Sequence, residues 1–407
     1  MNGIWFLIFW FFLLSLFTPG SVLGYSVYTL LGVLFFSKFL QNKYYTCFEL
    51  SCDLTKGCGF PGEELFICLK LKNRSRFPVF WCTVHQSFPI GLGSIRAKSL
   101  VALPPRNEKN IQFHFYGAHR GIYTLPTINL TYGEIIGLKE NTLEFKLNKE
   151  IVIYPQISNV LGLKLIRHLP LGQQRVPFGL YDDPARLRGC REYLPGDRPK
   201  MIHWPNVAKT GNLQTKEWET TLDADIGIFL NLNEEDYPIN SWSVLSEDGI
   251  ELAASITYHL AGDRIGFFSN GKTPNSDLDE DIDLLPNKER GFRLLPKNGS
   301  KTGKEILTYL AGVKLDDNPS FESILHEARL LTFGSILIII TPQIQDSIIK
   351  EIRRLRNMGY HPLVISPGRF IEKRDGIIRQ LEMIGVPVFE GKKGENSGRV
   401  FTLSLKN

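Results

Sequence analysis

Charge is absent from one long part of this chain: Met1 to Ser37 contains no Lys, Arg, Asp or Glu. Two apolar runs fill it, Ile4 to Phe17 and Val22 to Phe36, broken by Thr18-Pro19-Gly20-Ser21, a turn signal inside a hydrophobic block. A spanning helix needs about 20 apolar residues, so each run reaches that length only with its uncharged flanks. The pattern predicts a transmembrane helical hairpin over residues 1–43, in a bilayer through residues 4–37. A cleaved signal peptide would need a basic n-region and a small-residue cleavage site, and neither is present. One long helix kinked at Pro19 is the rival reading, and it would put the rest of the chain on the other side of the membrane. Lys38 and Lys43 follow the second run while the turn carries no charge, so the positive-inside rule places both ends in the cytoplasm.

Cysteine pairing signals are also lacking. Cys47, Cys52, Cys58, Cys68, Cys82 and Cys190 form no C-x-x-C and have no histidine at zinc-finger spacing. They read as reduced, mostly buried thiols; the alternative is a disulfide such as Cys68 with Cys82, if the topology is reversed. A net charge of +5 over 407 residues is too small for a globally basic nucleic-acid binder, and no reader motif accompanies the local basic patch. No G-x-S-x-G, no H-E-x-x-H and no true phosphate loop occur. Gly299 to Glu305 is one residue short of the phosphate-loop spacing and reads as a solvated loop entering a helix from Glu305 to Leu310. The polar, acidic stretch from Asn275 to Asp283 reads as a mobile insert.

What is present is two rhythms. From Tyr44 to Tyr154 short alternating runs such as Leu65–Leu71, Phe80–Val84, Ile111–Phe115 and Ile128–Tyr132 predict an antiparallel β-sandwich. After Asp223 apolar strands at Ile226–Leu230, Ile265–Phe268, Ser335–Ile340, Leu363–Ile365 and Val386–Phe389 alternate with amphipathic helices, which predicts an α/β doubly wound sheet. Thr341-Pro342 reads as an N-cap and first helical residue. The domain division follows: residues 1–43, 44–155, 156–221 as a linking region, and 222–407. At about 100 to 200 residues per domain the length allows two or three folded parts.

The linking region holds the densest chemistry: Arg191, Glu192, Tyr193, Pro195, Gly196, Asp197, Arg198, Lys200, Ile202, His203, Trp204, Lys209, Lys216 and Glu217 within under thirty residues. Leu194-Pro195-Gly196-Asp197 fits a type II turn, with proline setting φ and glycine taking φ above zero. Asp197 is then placed to hold backbone or a neighbouring arginine. Two readings stay open. The arginines and lysines form a docking surface for an anionic partner; or Tyr193, Ile202, Trp204 and Trp218 cement the two soluble domains while Arg191 and Glu217 satisfy each other across the seam. His203 is a candidate general base or a structural histidine.

These residues resemble the signature of the domain-of-unknown-function 58 family of bacterial membrane proteins: R-E-Y-x-P-G-D at Arg191–Asp197, then Ile202-x-Trp204, Ala208-Lys209 and Lys216-Glu217. Met201 and Pro205 stand where the family often has basic residues. His119-Arg120-Gly121-Ile122-Tyr123, Gly137-Leu138 and Ile153-Tyr154-Pro155 are similar to further landmarks. The resemblance implies that residues 222–407 form a von Willebrand factor A-like domain. The metal-binding version of that fold ends its first strand in D-x-S-x-S; here Asn231-Leu232-Asn233-Glu234-Glu235 stands instead, and Thr341-Pro342-Gln343 ends a later strand without an aspartate. No metal, no cofactor and no catalytic residue are expected.

The expected fold class is α+β multidomain, comprising the hairpin, the sandwich and the von Willebrand factor A-like domain, at the bacterial inner membrane with the soluble domains facing the cytoplasm. The resemblance implies a non-enzymatic adaptor or scaffold, partner to a MoxR-type AAA+ ATPase, in assembly or maturation of envelope or other protein complexes. The alternative is an enzyme acting on an envelope substrate between the two soluble domains, with His203, Asp197 and Glu217 as its groups.

Overall fold

A computed structural model describes residues 48–54, 56–94, 98–125, 127–133, 140–163, 187–194, 197, 199–218, 225–238, 241–272, 291–297, 300–317, 319–368, 375–394 and 400–405, with positions 10, 22, 25, 26, 28, 29, 32 and 33. The chain divides into two compact units, Met1–Gln156 and Ile157–Asn407.

The first unit is built from β1 (Phe48–Leu54), β2 (Cys58–Gly59), β3 (Glu64–Asn73), β4 (Val79–Gln86), β5 (Leu92–Ser94), β6 (Lys98–Leu103), β7 (Glu108–Gly117), β8 (Gly121–Leu125), β9 (Ile128–Gly133), β10 (Glu140–Phe145) and β11 (Lys149–Ile153). Two antiparallel four-stranded sheets form, in the orders β1-β3-β7-β5 and β10-β9-β4-β6, beside a small sheet β2-β11-β8. Period-two patterning explains them: in β3 Leu65, Ile67, Leu69 and Leu71 are buried while Glu64, Phe66, Lys70 and Lys72 are exposed. Ile67 and Phe113 meet in register across β3 and β7 and join Cys82, Val84, Ile128 and Ile151 in one core. Each such burial contributes about 1.5–3 kcal/mol. The described cysteines are free thiols. Cys82 points into the core, whereas Cys68 alternates with the buried Ile67 and Leu69 and so lies on the outer face of β3; the disulfide alternative is corrected. Cys82 donates to the Val101 carbonyl at 3.3 Å, and burial pushes its pKa up to about 12.

The second unit comprises β12 (Asn159–Leu161), β13 (Leu187–Glu192), α1 (Trp204–Thr210), β14 (Gln214–Trp218), β15 (Ile226–Leu230), α2 (Trp242–His259), β16 (Ile265–Ser269), β17 (Phe292–Lys297), α3 (Ser300–Gly312), α4 (Phe321–His326), β18 (Ile336–Ile340), α5 (Asp346–Asn357), β19 (His361–Pro367), α6 (Asp375–Met383), β20 (Val388–Lys393) and β21 (Val400–Leu405). Eight strands form one sheet in the order β12-β21-β20-β19-β18-β15-β16-β17. Its central strands β16, β15, β18, β19 and β20 are parallel, and β15, β16, β18 and β19 carry apolar runs because both faces are covered. Ile348, Ile352 and Leu355 of α5 pack on Leu337 and Ile339.

The expected fold class does not hold as a whole. Strands predominate, and among the described residues no helix is long and apolar enough to cross a membrane. Of the expected hairpin only eight positions are described, each helical; the remainder lies outside the described residues. The large sheet is mixed rather than uniformly wound: β17 lies antiparallel to β16, β21 antiparallel to β20, and β12 joins β21 at the edge. The short link between β20 and β21 dictates this, since parallel neighbours need a long crossover. Nothing in the fold identifies this sheet with a von Willebrand factor A domain.

Two local expectations change as well. Thr341 does not cap a helix: α5 begins at Asp346, and the Thr341 hydroxyl donates to the Gln343 carbonyl at 2.6 Å. The loop expected at Gly299–Lys304 is helix from Ser300 onward, with Gly303 inside α3.

Candidate functional site

The linking-region signature folds as a β-hairpin with a helix in its connection. β13 and β14 pair antiparallel, with Arg191 opposite Thr215 and Glu192 opposite Gln214. Beyond β13 the chain turns, and the Asp197 amide donates to the Leu194 carbonyl at 3.0 Å. Pro195, Gly196 and Arg198 lie outside the described residues.

Asp197 organises this turn. Its carboxylate accepts both guanidinium nitrogens of Arg191 at 2.7 and 2.8 Å, the Leu194 amide at 3.0 Å and the Thr215 hydroxyl at 3.2 Å. The Arg191 hydrogen bonds, then the Leu194 amide, hold its pKa down at about 2. Arg191 therefore pairs with Asp197 of its own hairpin; Glu217 lies opposite Gly189 in the strand register. Thr215 is buried and bridges to Ile202, so the segment before α1 is laid against β14.

His203 is the N-cap of α1. Its Nδ1 accepts the Asn206 amide at 3.1 Å, while its own amide donates to the Gln214 carbonyl at 2.8 Å. That bond needs a lone pair on Nδ1, which places the neutral ring's proton on Nε2. Pro205 fits the first turn, where an amide would be unsatisfied. Gly211 ends the helix at φ 75°, the left-handed cap that favours glycine, its amide bonded to the Val207 carbonyl. The Asn206 side chain then ties α1 to Gln214 on β14.

What remains on the outside is apolar and basic. Trp204 is 63% exposed, Leu194 59% and Leu213 49%, an unusual density of large apolar side chains for one small hairpin. Lys200 and Lys209 are exposed, whereas Tyr193, Ile202, His203 and Lys216 are half-buried. Arg191, Asp197, His203 and Ile202 are thus brought together around Thr215; Trp204, Lys200 and Lys209 point away from that centre's bonding. Thr215, Asn206, Gln214 and Gly211 are the participants that sequence reading passed over. The Pro205 and Gly211 pair was their available signal, a helix start and stop seven residues long.

A second polar cluster closes the ends of β15 and β18, the switch point of the parallel strands, where open sheets of this order bind ligands. Asn231, fully buried, donates to Asp236 at 2.7 Å and to Thr341 at 3.1 Å, and its carbonyl oxygen accepts the Asn233 amide at 3.0 Å. Gln345 donates to the other Asp236 oxygen. Tyr237 donates to the Asn231 backbone carbonyl, and burial raises its pKa. The buried Asp236 carboxylate is held by two amides, those of Asn231 and Gln345, while the Asn233 side-chain oxygen is buried without a partner among the described residues. Among the described residues no trio of His, Cys, Asp or Glu is placed to share an ion.

No family model matches the chain. It is similar to the uncharacterized protein YeaD of Bacillus subtilis, 22% identical over 268 residues, 64% of this chain and 65% of that protein; the match therefore spans less than two thirds of the relative's length. Among solved structures it is similar to the CARDB domain of PF1109 from Pyrococcus furiosus, at 14% identity, covering 26% of this chain and 93% of that one with a TM-score of 0.18. A FixG-related protein from Vibrio parahaemolyticus gives 13%, 26%, 95% and 0.19. Likenesses this slight carry no function.

Proposed function

We propose that this chain is a non-enzymatic adaptor whose signature hairpin is a docking surface, and that its partner is an AAA+ ATPase of the MoxR type. One observation supports it above others. The hairpin's chemically capable groups are tied into its own shape, with Asp197 saturated by Arg191, Leu194 and Thr215 and His203 Nδ1 engaged as a helix cap, while Trp204, Leu194 and Leu213 are left in solvent. Tryptophan is among the residue types most enriched at interface anchors, and here it stands exposed at the start of a folded helix. The resemblance in the signature residues supports the choice of partner and of location, the cytoplasmic face of a bacterial inner membrane. An enzymatic reading has less to draw on, since a general base needs a free lone pair aimed at a substrate.

The test is in-cell crosslinking from a photoreactive residue replacing the exposed Lys200, read by mass spectrometry. Capture of an AAA+ ATPase, lost on Trp204→Ala, is the expected result. Crosslinks confined to this chain would make the signature an internal seam and overturn the proposal.

A further inference from the structure

The opposite end of the eight-stranded sheet, at the amino ends of β15 and β18, carries cations without counter-charges. Arg329 and Arg353 are exposed, Arg356 is half-buried, and among the described residues none of the three has a carboxylate partner; Arg329 and Arg356 each meet only a histidine, His326 and His361, at 3.3 and 3.2 Å. Arg354 stands beside them and is the exception, 3.6 Å from Glu351, which also holds His326. Glu327 is engaged by Arg293 at 3.6 Å, and the buried Asp225 by Arg264 at 3.0 Å. The carboxylates of Glu327, Glu351 and Asp225 are therefore already matched, and none of them neutralises Arg329, Arg353 or Arg356.

Large apolar side chains stand among these cations. Phe333 is 57% exposed, Leu330 48% and Met358 40%. The backbone builds this presentation. Gly359, at φ 90°, lets the Phe333 ring lie directly against its Cα, where a Cβ would stand 2.4 Å from the ring. The Tyr360 amide bonds to the Leu355 carbonyl, which closes the end of α5 and leaves Met358 outward. Leu331, between the two exposed residues, is buried and anchors the loop.

We propose that this end of the second unit docks on an anionic phospholipid surface. Guanidinium groups pair with phosphate oxygens in a fork geometry, and apolar tips among clustered cations supply the two signals that peripheral binding requires. The uncharged apolar sequence from Met1 to Ser37 favours a bilayer over an acidic protein as the source of the anions. This surface shares no residue with the signature hairpin, so its failure and the failure of the adaptor reading are distinguishable.

The experiment is sedimentation of the full chain with vesicles of phosphatidylcholine alone and with vesicles of phosphatidylglycerol and phosphatidylcholine in equal parts. The readout is the ratio of the two partition constants, which an uncharged stretch of chain does not produce. The wild type is expected to prefer the anionic vesicles, with the preference falling steeply with salt. Arg329→Gln with Arg353→Gln is expected to reduce that ratio about 20- to 30-fold, from about 1 kcal/mol per cation at an anionic surface. Both positions are exposed, so folding is unaffected. Phe333→Ser is expected to weaken binding to anionic vesicles while keeping the salt dependence. Equal partitioning of the wild type onto both vesicles overturns the proposal. So does a preference that survives the double substitution.

Discussion

Replacing Asn231 by alanine removes a buried side chain that holds three elements at once. It donates to Asp236 in the turn after β15 and to Thr341 after β18, and it accepts the Asn233 amide. The bond to a carboxylate is worth about 1.5–3 kcal/mol and each neutral bond about 1 kcal/mol. With no water able to reach a fully buried site, the sum is a loss of about 3–5 kcal/mol in the second unit, against a typical total of about 5–15 kcal/mol for a domain. The assay is urea unfolding of the full chain followed by amide exchange within Ile226–Leu230, which reports this unit separately from the first. Asn231→Asp is the sharper companion. It sets a second carboxyl 2.7 Å from Asp236, and two carboxylates so close cannot both stay ionised. The pair's folded pKa is raised above the unfolded value of about 3.9, so the folded state binds more protons and stability falls as pH rises through that raised value. The deficit should shrink on acidification toward about pH 4. A loss under about 1 kcal/mol for Asn231→Ala, or a pH-independent deficit for Asn231→Asp, would refute the account of this cluster.

Two further expectations concern other parts of the second unit. Asp197 has a folded pKa depressed to about 2, so its contribution to the hairpin is complete above the unfolded carboxylate range and is lost as pH falls from about 4 toward 2; the protection of the Leu194 amide relative to its intrinsic exchange rate should fall over that window, and Asp197→Asn should make that protection independent of pH. Lys393 bonds Glu251 at 2.6 Å while the Ser158 hydroxyl donates to the other Glu251 oxygen, so Lys393→Ala should cost about 1–3 kcal/mol by leaving a nearly buried carboxylate without its counter-ion, and Glu251→Gln should cost less; calorimetry showing the reverse order would exclude this pairing.

How far the sequence could be read varied with the range of the interactions. The runs at Leu65–Leu71 and Ile111–Phe115 show their strands because side-chain alternation is local, and the buried sides follow from it. The apolar run before Thr341 likewise shows a strand covered on both faces. Thr341-Pro342 misled because a cap is decided by where the hydroxyl finds its partners, and here those are Asn231 and Gln343. The stretch around Trp204 looked structureless because seven residues give too little periodicity to recognise a helix; its boundaries were marked by Pro205 and Gly211 instead.

For the candidate site the division is similar. Composition and spacing alone determined that Arg191 to Glu217 is dense in turn formers, charges and aromatic residues, and that Asp197 is placed to bind a near neighbour, because a turn brings residues a few positions apart together whatever the remaining fold. Sequence could not show that Arg191 and Thr215 both reach the Asp197 carboxylate. That depended on the strand register, which sets Arg191 opposite Thr215 and Glu217 opposite Gly189, and register is a property of two segments more than twenty residues apart. The edges of the large sheet, the exposure of Trp204 and the gathering of Arg329, Phe333 and Arg353 at one end were likewise decided only by tertiary structure, because each depends on which distant segments pack together and which side chains that packing leaves uncovered.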